Sequence, residues 1–210
     1  ISVDAQRPQV LLASSFDRWN AGQGKNDDLF RSTDGGKTWK PVFGSDAKLD
    51  YALAPYVEAT PLHWMFDVQI DPANPEHAMF TTGYGGWETF NLGAMDAGKP
   101  TVWHVMSTGI EETVAIDLLS PPRGAHLISA IGDYAGFVHW DLDQPAPAGS
   151  FHPPYFGNTT GVACAEQKPE VIVRVGRASI HHRGTNLGYS LDGGKTWREP
   201  ASTPKADSAL

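Results

Sequence analysis

Cysteine is almost missing from this chain: Cys164 is the single one among 210 residues, so no internal disulfide can form. It lies in the apolar run G-V-A-C-A and reads as a small buried core residue. Long apolar runs are missing too, and none approaches bilayer-spanning length. Helical spacing of apolar residues is not sustained anywhere. Positive charge is scarce: 16 Lys and Arg against 24 Asp and Glu leave a net −8, which argues against a nucleic-acid or anionic-membrane surface. There is no Gly-rich phosphate loop carrying a lysine and no G-x-S-x-G elbow. His181 and His182 lack a carboxylate at ligand spacing, so no metal and no cofactor is expected. The chain opens inside what reads as a strand, with neither an initiator methionine nor a signal peptide, so a segment upstream is expected.

What is present is globular and turn-rich: 40% hydrophobic and 19% charged residues, 22 glycines, 16 prolines and seven tryptophans. Four segments share one pattern, a short alternating strand, an acidic turn with proline, and a second apolar strand. They begin at Ile1, Val68, Val114 and Val162, and their prolines Pro8, Pro75, Pro122 and Pro169 are spaced by 67, 47 and 47 residues. Two further strands follow each, with Trp39, Trp103, Phe151 or Trp197 near the start of the last. Four strands per unit of roughly 40–50 residues is the arithmetic of a β-propeller blade. The expected fold is all-β: four-stranded antiparallel blades at about 1–43, 68–106, 114–151 and 162–200, with 201–210 a linker or tail. Closure removes the exposed edges of such sheets, so partner blades elsewhere in a longer chain, or a second copy, are expected.

Two segments, Ser32 to Trp39 and Ser190 to Trp197, read S-x-D-G-G-K-T-W, the Asp-box. Their glycine pairs, ending in Gly36 and Gly194, supply positive φ for a tight hairpin. Asp34 and Asp192 are placed to accept the turn's own amides, and the two tryptophans to pack beneath it. The boxes are therefore expected to staple turns rather than bind ligand.

Without nucleophile or metal motifs, carboxylates and aromatics remain, the tools of glycoside hydrolysis. Asp133 stands between the apolar strand Leu127 to Ile131 and Y-A-G-F. Partial desolvation beside Tyr134 and Phe137 would raise its pKa as a general acid requires, whereas the plainer role for such an aspartate is to cap a turn. The spacing leaves both open.

The chain resembles glycoside hydrolase family 74, the xyloglucanases and reducing-end-specific oligoxyloglucan hydrolases, over nearly its whole length. The likeness runs through D-R-W at Asp17, H-W at His63, T-G-Y-G-G-W at Thr82, G-I-E-E-T at Gly109, S-P-P-R-G-A at Ser120 and G-D-Y-A-G-F-V-H at Gly132. It implies tandem seven-bladed propellers facing across a glucan cleft, with a propeller junction near 104–113, and inverting hydrolysis by two aspartates. Asp133 matches the general acid. Ala135 stands where that motif usually has glycine, and the R-T-D-x-G-G-A-Y-R motif that carries the base is absent from these 210 residues. Alone, the chain is expected to be inactive.

The same resemblance places sugar contacts at Trp64, Trp87, Tyr84 and Trp19 in segments between strands, and at Tyr134 and His139. It gives Glu111 and Glu112 a supporting role. The expected partner is a polysaccharide or oligosaccharide, with no nucleic acid and no membrane, in a secreted or periplasmic setting. The rival expectation is a non-catalytic Asp-box propeller that binds glycans or proteins.

Overall fold

The computed structural model describes residues 1–18, 27–44, 47–59, 62–109, 113–151, 153–154, 156, 158–177 and 186–202. The chain divides into two compact units, Ile1–Glu112 and Thr113–Leu210. Both are built from consecutive antiparallel sheets, as the repeats predict. Among the described residues no helix is long and apolar enough to cross a membrane.

The first unit holds two sheets. Strands β1 (Ser2–Val3), β2 (Leu11–Ser14), β3 (Leu29–Ser32) and β4 (Lys40–Pro41) follow one another in sequence order. The second sheet runs β6 (Val68–Ile70), β7 (Ala78–Thr82), β8 (Gly85–Thr89) and β9 (Val102–Val105). Its outer edge carries a fifth strand that the repeats do not predict. This is β5 (Lys48–Asp50), which pairs parallel with β9 through Lys48–Val102, Leu49–Trp103 and Asp50–His104. It covers an edge that would otherwise present unpaired amides, and the His104 Nδ1 to Asp50 Oδ2 contact at 2.9 Å fixes its end.

Alternation puts Leu12, Leu29, Val68, Phe80, Trp87 and Trp103 into one buried core, which Met65 joins from the segment before β6. Phe80 stacks on Trp87 (6.1 Å between centroids, 3°) and meets Trp103 edge-on (5.1 Å, 68°). The two sheets are also tied by polar groups. The buried Arg31 makes a two-pronged pair with Asp96, Nε to Oδ1 at 2.9 Å and Nη2 to Oδ2 at 2.7 Å. The amide of Ile70 donates to Ser2 Oγ at 2.9 Å.

The second unit repeats the plan with β10 (Ala115–Leu119), β11 (Leu127–Ile131) and β12 (Ala135–His139), then β13 (Asn158–Ala165), β14 (Lys168–Arg177) and β15 (Leu187–Ser190). The expected fourth strand of each sheet is reduced to one bridge, Ser150 on Phe137 and Arg198 on Tyr189. The first strands of its two sheets are again joined by a side chain, Asp117 Oδ2 accepting the Val162 amide at 3.0 Å. Ile128, Ala130, Val138, Phe151, Val162 and Ile172 form the core. Cys164 packs against it but is only half-buried, because its side of β13 is not fully covered.

Among these apolar residues lies one fully buried cation. The Arg174 guanidinium stacks over Phe151, Phe156 and Trp197 at 4.8, 4.3 and 4.8 Å, and donates to the Pro154 carbonyl. Burial lowers its pKa to about 10.

Candidate active-site hairpin and aromatic surface

The Asp-box turns are two copies of one hydrogen-bonded object. In the first, Ser32 Oγ accepts the Gly36 amide at 2.9 Å and donates to Asp34 Oδ1 at 2.9 Å. Asp34 in turn accepts the Thr38 hydroxyl at 2.6 Å and the Thr38 amide at 2.9 Å, and these bonds hold its carboxyl at about 2. Ser190, Asp192, Gly194 and Thr196 repeat the network at 2.5–2.9 Å. Burial works against the Asp192 charge, yet the Thr196 bonds prevail and its pKa is lowered. Each turn is tied back to its own blade, Gly35 donating to the Gln9 carbonyl at 2.8 Å and Gly193 to that of Glu170 at 2.9 Å. Trp39 closes its turn by donating Nε1–H to the Gly36 carbonyl at 3.0 Å, while Trp197 packs on Phe151 at 4.9 Å. Every carboxylate oxygen of Asp34 and Asp192 accepts a hydrogen bond within its own turn.

Asp133 sits at the tip of the β11–β12 hairpin. Residues Leu127–Ile131 and Ala135–His139 are almost wholly buried, and strand pairing closes at Ile131–Ala135, leaving a three-residue loop. The Tyr134 amide donates to the Gly132 carbonyl across Asp133 at 2.7 Å, and the Gly136 amide to Tyr134 across Ala135 at 2.7 Å. Three-residue turns usually keep φ negative at the centre, but Asp133 (φ 66°) and Ala135 (φ 61°) both take the rarer, strained form with positive φ. Each costs roughly 1–3 kcal/mol, a strain that collects at functional sites. Glycine would hold position 135 at lower cost, which gives the alanine there a physical meaning. The loop is anchored by the Asp133 amide, which donates to Asn158 Oδ1 at 2.7 Å, and by the Gly132 amide on the Val114 carbonyl at 2.9 Å.

The Asp133 residue itself is exposed. The expected partial desolvation by Tyr134 and Phe137 is therefore corrected: those rings turn inward, Tyr134 to 7% exposure, and leave the carboxylate above them. Buried, Tyr134 presents no face to a sugar. His139 is half-buried further along β12, with Nε2 at 3.0 Å from Ser129 Oγ, and burial lowers its pKa. Tyr134, Phe137 and His139 form a file of rings 6.4 and 6.0 Å apart beneath the hairpin.

In the first unit the predicted aromatics separate. Trp87 is corrected from sugar contact to core: it lies in β8, is 1% exposed, and is held between Phe80 and Tyr51. Trp64 is 42% exposed, and His63 links it to Tyr84 through centroid distances of 5.0 and 4.9 Å. Gly83 leaves room for the indole, since a Cβ there would come within 2.9 Å of Trp64 Cε3. Sequence reasoning passed over Phe16 and Phe66, both exposed and paired at 4.7 Å. Their only sequence signal is an aromatic directly followed by an aspartate, Asp17 or Asp67, outside the strands. Trp19, Glu111, Glu112, His181 and His182, and residues 203–210 of the predicted tail, lie outside the described residues. Among the described residues no group of three His, Cys, Asp or Glu side chains is arranged to hold a metal ion.

Successive blade-like sheets carrying stapled S-x-D-G-G turns define a β-propeller protein of the Asp-box class. The BNR/Asp-box repeat model matches residues 30–41 and 189–199. A xyloglucanase of Paenibacillus sp is 37% identical over 97% of this chain and 22% of its own length. One from Acetivibrio thermocellus is 35% identical over 95% of this chain and 25% of its own. The crystal structure of the GH74 xyloglucanase from Xanthomonas campestris matches with a TM-score of 0.86 at 44% identity, over 97% of this chain and 28% of that one. The likeness to glycoside hydrolase family 74 thus extends over nearly the whole chain, which spans about a quarter of the length of the curated relatives it matches.

Proposed function

We propose that this chain is part of a glycoside hydrolase acting on xyloglucan or a related β-1,4-glucan outside the cytoplasm, with Asp133 as the proton donor. The observation that carries the reading is the hairpin. A strained, glycine-dependent turn on a buried two-strand stem projects one carboxylate from the blade surface, within a chain similar throughout to xyloglucanases. Hydrolysis with inversion also needs a base that activates water on the opposite face of the sugar. That base comes from blades outside these residues, so the chain alone does not turn over substrate. Apolar side chains left open on sheet faces, Ile116 and Leu118 on β10 and Val173 and Val175 on β14, support the packing of further blades.

The test is kinetic, in the longer protein that supplies the base. Asp133→Asn is expected to lower kcat on xyloglucan by about 10²–10⁴-fold. Because the residue is exposed, stability should stay within about 0.5 kcal/mol. Undiminished hydrolysis rules out the assignment. The exposure of Asp133 also keeps a second reading in view, a glycan-binding propeller without catalysis. That reading predicts oligosaccharide binding by the longer protein with no release of reducing ends.

A further inference from the structure

The Asp133 side chain stands clear of its hairpin, so the backbone beneath sets its direction. That backbone is strained, with φ of 66° at Asp133 and 61° at Ala135, and a strained turn relaxes unless its surroundings hold it. The bonds from the Tyr134 and Gly136 amides stay within the hairpin and each spans a single residue. One grip on Asp133 comes from outside its sheet. Its amide donates to Asn158 Oδ1 at 2.7 Å, a residue 25 positions further along and in the next sheet.

Asn158 is itself firmly seated. It opens β13 and pairs with Arg177 of β14. Gly176 lets the two strands close at this point, since a Cβ there would stand 2.3 Å from the Asn158 carbonyl oxygen. The following residue, Thr159, is fully buried. Gly132, just before Asp133, also keeps the approach open: a Cβ on it would lie 3.6 Å from Asn158 Oδ1 and 3.2 Å from Val114 Cβ. The chemical identity of the anchor matters as well. Carboxylates do the same work elsewhere in the chain, Asp28 for the Phe43 amide at 2.9 Å, Glu76 for Gly93 at 2.8 Å and Asp117 for Val162 at 3.0 Å. A carboxylate is the stronger acceptor, but beside Asp133 it would add a second negative charge. The neutral side chain of Asn158 holds the amide without that charge.

We propose that Asn158 is a positioning residue for proton transfer, which by holding the Asp133 amide sets the carboxyl against the glycosidic oxygen. The proposal rests on Asp133 being the proton donor and assigns what aims it. In the step concerned, the bond from C1 to the leaving oxygen breaks as that oxygen takes the Asp133 proton, while water adds to C1 and gives its own proton to the base. A donor displaced by about 1 Å loses rate without loss of substrate affinity.

The test uses the longer protein and two substrates, a xyloglucan oligosaccharide and the 2,4-dinitrophenyl β-glycoside of one. Dinitrophenolate departs without a proton, so only the first substrate needs the donor. Asn158→Ala is expected to lower kcat on the oligosaccharide about 10–100-fold at unchanged KM, and on the dinitrophenyl glycoside by less than about threefold. Hydrogen exchange at the Asp133 amide should be about tenfold faster in that variant. Asn158→Asp keeps an acceptor in place and should restore the protection and most of kcat at its own pH optimum. Should the alanine variant fail to fold, Asn158→Ser, whose hydroxyl stops a bond short of the amide, carries the same comparison. Where Asp133→Asn spares the dinitrophenyl glycoside, the positioning role is overturned by equal losses on both substrates in Asn158→Ala, by no loss on either, or by an aspartate variant as impaired as the alanine one. If Asp133→Asn impairs both substrates alike, the proton-donor reading fails and this proposal with it.

Discussion

Replacing Gly136 with alanine tests whether the Asp133 hairpin is built as described. Its φ is 139°, and an added Cβ would stand 2.0 Å from the Ser129 carbonyl oxygen and 2.6 Å from Phe151 Cε2. The first obstacle is backbone of the neighbouring strand, where Ala130 pairs with Gly136, so relief requires β11 and β12 to part. The second is a buried ring that stacks on Arg174, and the Phe151 amide itself donates to the Gly136 carbonyl at 2.8 Å. Overpacking of this kind costs about 1–3 kcal/mol, and the left-handed backbone about 1–2 kcal/mol more. Against a domain stability of about 5–15 kcal/mol the loss is large. At about 2–4 °C per kcal/mol for a chain of this size, Tm should fall by about 4–20 °C. Gly149→Ala is the matched control: its φ is 66° and nothing lies within 4 Å of the added Cβ, so only the backbone contribution applies. Urea melts of both variants at constant m separate the two effects. Losses equal within about 0.5 kcal/mol would refute the close approach and with it the geometry that presents Asp133.

Two pH-dependent outcomes follow from the titrating groups. Asp34 titrates at about 2, below its ordinary 3.8, so its support of the first Asp-box is complete above that ordinary value and is lost as pH falls through about 2. Asp34→Asn should flatten the acid limb of the stability curve, and an unchanged limb would count against the hydrogen bonds from Thr38. Burial pulls His77 down, but its contacts with Asp71 at 3.1 Å and Glu88 at 3.2 Å outweigh this and raise it above 6.5. Its contribution is then full below 6.5 and lost as pH rises through the raised value. An NMR titration of His77 should have its midpoint above 6.5, and His77→Gln should cost more stability at pH 6 than at pH 9; a midpoint below 6.5 contradicts the pairing.

Most of the fold was legible because its signals are local. A short apolar run marked Leu127–Ile131 with its ends in place, and S-x-D-G-G-K-T-W identified turns whose side-chain hydrogen bonds fall within five residues. The likeness of the four segments, and hence the blade, follows from the same short-range chemistry. The parallel strand β5 escaped notice because three residues carry no pattern until an open edge receives them.

The sites were less legible, for a different reason. Trp64 and Trp87 read alike in sequence, and which one meets solvent depends on which sheet face is covered by Phe80, Tyr51 and Trp103. Asp133 was found from its neighbours, but its exposure follows from the inward turn of Tyr134 and Phe137. Asp27 accepts the Trp64 amide from 37 residues away, and Arg174 is buried among rings drawn from two other segments. Short-range hydrogen bonding and alternation were written in the residues themselves; burial and the meeting of distant groups exist only once the sheets pack, because both depend on what lies across the core rather than along the chain.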